Sequence, residues 1–87
     1  MNTVHIRSRN YGTYNAMVSQ IISLLEEGRE ISVYGCQEPE GIISRVKLFN
    51  LEAVAEPIYK KTEQDGIFVK VLDKPILQGY KFRLAQN

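Results

Sequence analysis

The chain has 87 residues, 44% of them hydrophobic and 24% charged, with a formal net charge of +1. That length makes a single domain over residues 1–87, which buries about 60–65% of its unfolded surface and gains from association with a second copy or a partner. No apolar run approaches the roughly 20 residues of a membrane span, no secretory leader pattern opens the sequence, and a near-neutral charge excludes indiscriminate coating of nucleic acid. The single cysteine, Cys36, has no internal disulfide partner, which fits a reducing, cytoplasmic or nuclear location.

Residues 3–8 alternate, with Val4 and Ile6 on one side and His5 and Arg7 on the other, which predicts a half-buried strand. Asn10, Gly12 and Thr13 break the pattern, and Asn10 or Thr13 is placed to cap a helix. Apolar residues then fall at Tyr14, Met17, Val18, Ile21, Ile22, Leu24 and Leu25, the spacing of an amphipathic helix that stops at Gly28. A second strand follows over residues 30–35, and residues 36–41 form a loop containing Pro39 and the acids Glu38 and Glu40. Residues 42–55 have helical spacing, and Pro57 ends that helix near Ala55 or kinks it, leaving residues 58–61 as a kinked final turn, the favoured reading, or a short extended piece. Residues 64–66 make a turn. A strand over 67–72 and a last strand over 80–84 are joined through a tip at 73–79, giving an antiparallel hairpin. The expected order is β-α-β-α-β-β, an α/β fold with both helices on one face of a mixed four-stranded sheet.

Charge is unevenly spread. Residues 1–25 hold Arg7 and Arg9 and no acid, residues 26–65 hold five basic and nine acidic side chains, and residues 66–87 hold four basic side chains against Asp73. Strands from the two ends meeting in one sheet predict a basic outer face carrying His5, Arg7, Lys81 and Arg83. Arg7 and Arg9 stand close to Tyr11 and Tyr14, which pairs phosphate-binding charge with aromatic stacking surface. Lys81 and Arg83 point outward from the last strand, where charge also guards a sheet edge. Leu48, Phe49 and Leu51 widen the apolar stripe of the second helix beyond what one small sheet covers, which predicts a dimer interface.

Nothing in the chain points to chemistry. His5 is the only histidine and has no ligand partner nearby in sequence, so no metal is expected. Cys36 reads as a small buried hydrophobe rather than a nucleophile. No paired carboxylates, phosphate-cradling glycine loop or serine motif appears, so neither catalysis nor a cofactor is expected.

The stretch from Tyr14-Asn15-Ala16 through Leu24-Leu25-Glu26-Glu27-Gly28, the following Glu30-Ile31-Ser32-Val33, and Val54-Ala55-Glu56 with Lys60 and Lys61 resemble the Alba superfamily of small DNA- and RNA-binding proteins. The resemblance covers nearly the whole chain and implies a homo- or heterodimer. It also implies nucleic-acid contact through the loop after strand one, the loop before helix two and the hairpin. It places Arg7, Arg9, Tyr11 and Tyr14 at the first loop and Lys74 at the hairpin tip, with Arg45 and Lys47 replacing the basic turn the family carries before helix two. Residues 37–41 depart from that turn, being longer and acidic. The expected function is therefore binding of RNA in preference to DNA in a ribonucleoprotein or chromatin context. The alternative is an assembly module that has lost nucleic-acid binding.

Overall fold

Thr13 sets the start of the first helix in the computed structural model, which describes residues 3–85. Its extended backbone precedes α1 (Tyr14–Glu26), and its Oγ1 accepts a 3.0 Å hydrogen bond from the Ala16 N–H. That bond satisfies one of the free amides of the first turn. Met17, Val18, Ile21, Ile22, Leu24 and Leu25 are the buried face of α1, as the spacing predicts. At the other end Gly28 takes φ +77°, its N–H bonds the Leu25 carbonyl, and the Arg29 N–H bonds the Leu24 carbonyl. This paired closure needs the left-handed conformation that glycine adopts without strain. The helix joins β1 (Thr3–Arg7), followed by a short 3-10 turn over Ser8–Asn10, to β2 (Glu30–Tyr34). The two strands are parallel, with Thr3 opposite Glu30 and Arg7 opposite Tyr34.

The second half departs from the expected boundaries. The second helix, α2, spans Pro39–Lys47, not 42–55, so Pro39 and Glu40 belong to its first turn rather than to a loop. It ends because Leu48, Phe49 and Asn50 close tight three-residue turns and Asn50 adopts φ +62°. Asparagine tolerates that left-handed conformation well and stops the helix as a glycine would. Leu48, Phe49 and Leu51 therefore lie beyond α2, not on its face. Residues 53–61 are strand, not a kinked helix end. They open β3 (Ala53–Asp65), which tolerates Pro57 because β3 is an edge strand. The hairpin turns at Gly66 and Ile67, not at 73–79, and β4 runs unbroken from Phe68 to Leu84. Lys74 therefore sits along β4, away from the tip. Lys81 and Arg83 lie on an interior strand, because β4 pairs with both β2 and β3.

The sheet order is β1-β2-β4-β3, with β1 and β2 parallel and the other neighbours antiparallel. This α/β arrangement has two helices and a mixed four-stranded sheet. Ile31, Val33 and Phe82 face the helices and are fully buried with Ile21, Leu25, Ile42 and Val46 in one core. Both helices thus cover the same face of the sheet. The other face carries the rows His5–Ser32–Lys81–Glu56 and Arg7–Tyr34–Gly79–Ile58. Beyond Gly79 strand β4 loses its β2 neighbour, and β3 with β4 continues as a two-stranded arm. The eight residue steps from Ile58 to Gly66 span about 26 Å at strand rise, which fits a molecule 46 Å long. Extra residues on β4 interrupt the pairing at Gln78 and again between Val71 and Ile76.

Candidate nucleic-acid interface

β1 and β2 end side by side, and their parallel register puts Arg7 against Tyr34 on the outer face. The Arg7 guanidinium carbon lies 5.6 Å from the centre of the Tyr34 ring. The His5 ring stacks on the same tyrosine, with centroids 6.0 Å apart and planes 18° from parallel, and its Nδ1 lies 3.2 Å from the Tyr34 hydroxyl. The three side chains form a cation–aromatic ladder. Arg7, Ser8, Arg9, Tyr34, Gly35 and Gln78 enclose an open cleft of about 270 Å³ beside it. Its far wall is held by the bulge at Gln78, whose carbonyl accepts a 2.9 Å hydrogen bond from the Gly35 N–H.

A second hollow of about 350 Å³ adjoins the cleft, sharing Ser8 and Gly35 and lined further by Tyr14, Met17, Cys36 and Glu38. Arg45 reaches this end of the molecule from α2. Its guanidinium lies 5.0 Å above the Tyr14 ring and donates to Asn15 Oδ1. The fold thus gathers Arg7, Arg9, Tyr14 and Arg45 around one end of the sheet. The other candidates are not part of this group. Tyr11 is half-buried and packs against the core, Lys47 is exposed at the end of α2, and Lys74 lies in the arm. Leu48 and Phe49 are 81% and 57% exposed, whereas Leu51 is half-buried against the core.

The basic outer face expected from the sequence is neutralised at Lys81 and Arg83. Lys81 Nζ lies 3.0 Å from Glu30 Oε1, and Arg83 Nε lies 2.7 Å from Glu56 Oε1. Both acids share the face with these cations because β2 and β3 flank β4. The Lys81 hydrogen bond holds the Glu30 carboxyl below its ordinary range. The Lys81 charge, Thr3 and Arg83 act the same way, and burial opposes them. A carboxyl depressed in the folded state contributes stability that is fully present above its unfolded pKa and is lost as pH falls through the folded pKa. Thermal melts taken from neutral to acid pH should therefore show Glu30→Gln losing less stability across the acid limb than the unmodified chain. Parallel acid limbs for the two proteins would contradict this assignment.

His5 sits on the outer face with Tyr34, whereas Cys36 is buried among the core side chains under the helices. Burial pushes the Cys36 thiol up, and the Glu38 and Glu40 charges add to the shift while a backbone hydrogen bond opposes it. A protonated, buried thiol is a poor nucleophile. No group of three or more metal-binding side chains clusters among the described residues. No described helix is long and apolar enough to cross a membrane.

Sequence reasoning missed Tyr34 and Gln78. Tyr34 follows Ser32 at strand spacing, so its outward direction was readable, but its meeting with Arg7 depends on the register of two parallel strands. Gln78 faces the cleft only because a bulge turns it. Neither the family models, nor the curated proteins, nor the solved structures compared with this chain match it.

Proposed function

We propose that this chain is a non-catalytic, Alba-like nucleic-acid-binding protein that takes RNA in preference to DNA and acts as a homo- or heterodimer. The observation that carries the reading is the cleft lined by Arg7, Arg9 and Tyr34, with the Arg7 guanidinium over the Tyr34 ring. Guanidinium groups pair with phosphate oxygens bidentately, and an exposed base can extend the His5–Tyr34–Arg7 ladder by stacking on it. Bases are available for such stacking in single-stranded loops and bulges, which favours RNA. A net charge of +1 suits a local contact of this kind better than wrapping of duplex DNA.

The test is the affinity of Tyr34→Ala for a single-stranded RNA, read by fluorescence anisotropy. One stacked base is worth about 1–3 kcal/mol, so affinity should fall about 5- to 150-fold with the fold intact by circular dichroism. Unchanged affinity would remove the ladder from the interface.

A specific observation favours a second reading, an assembly module without nucleic-acid binding. Lys81 and Arg83 are engaged by Glu30 and Glu56, and Glu38 and Glu40 stand beside the hollow next to the cleft. Absence of any RNA or DNA binding at micromolar protein, with stable self-association, is the outcome that selects it.

A further inference from the structure

Two apolar surfaces on this chain have no cover among the described residues. The first is the tip of the arm, where Ile67 is 89% and Phe68 71% exposed. A two-stranded ribbon is marginally stable alone in water, so an ordered tip calls for a surface to rest on. The turn end of the arm is not basic: over residues 62–72 Glu63 and Asp65 stand against Lys70, a sum of −1, while Lys60, Lys61, Asp73 and Lys74 lie nearer the body. The second surface is a groove of about 540 Å³ between α1 and the turn after α2. Val18 and Ile22 form its floor and the exposed Leu48 and Phe49 its wall.

The charges around the two surfaces are complementary in sign, each surface carrying one acid and one base. Arg45 stands at the end of the groove where it bonds Asn15, and Glu26 stands at the other end of α1, about 16 Å along the helix axis. On the tip, Asp65 is opposite Phe68 in the ladder, and Lys70 lies on the same strand face two residues on. One face of the tip therefore presents an apolar centre with an acid and a base around it. The groove presents an apolar centre between a base and an acid.

We propose that two copies of this chain associate by exchanging arm tips. Ile67 and Phe68 of each copy enter the groove between α1 and the turn after α2 of the other, with Asp65 against Arg45 and Lys70 against Glu26. A single tip in a single groove is small beside the roughly 1,200–2,000 Å² buried in a stable interface. Reciprocal exchange doubles the contact and adds whatever the two bodies bury between them. The proposal gives the dimer of the function proposed above a definite interface, and it makes no use of the Arg7–Tyr34 cleft.

Sedimentation velocity on the whole chain tests it, with Phe68→Asp altering the tip and Phe49→Asp the groove. Both side chains are largely exposed, so the variants should keep the native circular dichroism spectrum. Ile67→Asp replaces Phe68→Asp if the latter fails to fold. The unmodified chain should be a dimer and each variant a monomer. An equimolar mixture of the two variants should associate more than either alone and less than the unmodified chain. Only the mixed pair can seat an intact tip in an intact groove, and it can do so once. A monomeric unmodified chain overturns the proposal. A Phe68→Asp variant that remains a dimer indicates helix faces pairing directly, and a Phe49→Asp variant that remains a dimer indicates arms pairing with arms. Either result overturns the proposal, as does a mixture no more associated than its components. RNA binding by a monomeric chain would overturn the exchange and leave the Arg7–Tyr34 cleft standing, so the two failures are distinguishable.

Discussion

Gly79→Ala should lower the melting temperature by about 12 °C or more, the shift that corresponds to about 3 kcal/mol in a domain of this size. Gly79 is buried where β4 leaves β2, opposite Tyr34. A β-carbon built on it would stand 2.0 Å from the Val33 carbonyl oxygen and 2.9 Å from the Tyr34 α-carbon. Those are backbone atoms of a central strand, so no side chain can rotate away to make room. Overpacking in a core typically costs about 1–3 kcal/mol and occasionally more. Rigid backbone on the far side places this substitution at or above the upper end. Total stability of an 87-residue domain is about 4–13 kcal/mol, so the loss is a large fraction of it. The same strain would fall on Tyr34, opposite Gly79, which borders the cleft. A melting temperature within about 2 °C of the unmodified chain would show that the close approach at Gly79 is not structural.

Phe82→Ala should cost about 3–5 kcal/mol in urea unfolding, the usual range for removing a phenyl ring from a packed core. Phe82 is the largest fully buried side chain, and it stands between Ile31 of β2 and Ala55 of β3. It lies on the strand that joins the parallel pair to the hairpin, so the cavity would open under both helices. A loss under about 1 kcal/mol would mean that the site collapses around the gap.

The opening strand–helix–strand unit was readable in the sequence because its signals are local. Thr13 caps, Gly28 closes, and the apolar positions of α1 are the ones buried. The second half was readable only as a count of helices and strands. In residues 42–55 helical spacing continued past Asn50, and only the backbone angle of that residue ends the helix. Ala53, Ala55 and Pro57 alternate with Val54, Glu56 and Ile58 at strand period, but a proline after an apolar helix pattern also reads as a helix end. The turn signal at 64–66 adjoins the observed turn at Gly66 and Ile67, but the strand that follows pairs with residues 62–65 before it and not with 80–84 after it. Asp73, Lys74 and Pro75 look like a turn, whereas here they are extra residues bulged out of β4.

The candidate site divides along the same line. Arg7 and Arg9 were legible from their own positions, and the structure gives them a tyrosine and a cleft. Lys81 and Arg83 were legible as outward-facing cations, but their charges are met by Glu30 and Glu56 across strand pairs. Those partners are 51 and 27 residues away in sequence, and only sheet order brings them together. Of the two acids in residues 37–41, Glu40 enters the first turn of α2 and Glu38 stands at its N-cap. They adjoin the cleft without lining it, since the cleft is walled by Gly35 and Gln78 there.

The central claim is that Arg7 and Arg9 contact nucleic-acid phosphates. Affinity for a single-stranded RNA, measured across a series of salt concentrations, tests it most directly. The unmodified chain should bind with log affinity falling linearly in log salt. The Arg7→Ala, Arg9→Ala double variant should bind more weakly, with the slope reduced by about 1.4, the counterion release of two phosphate contacts on a single strand. Equal slopes for the two proteins, or affinity that does not change with salt, would contradict the account.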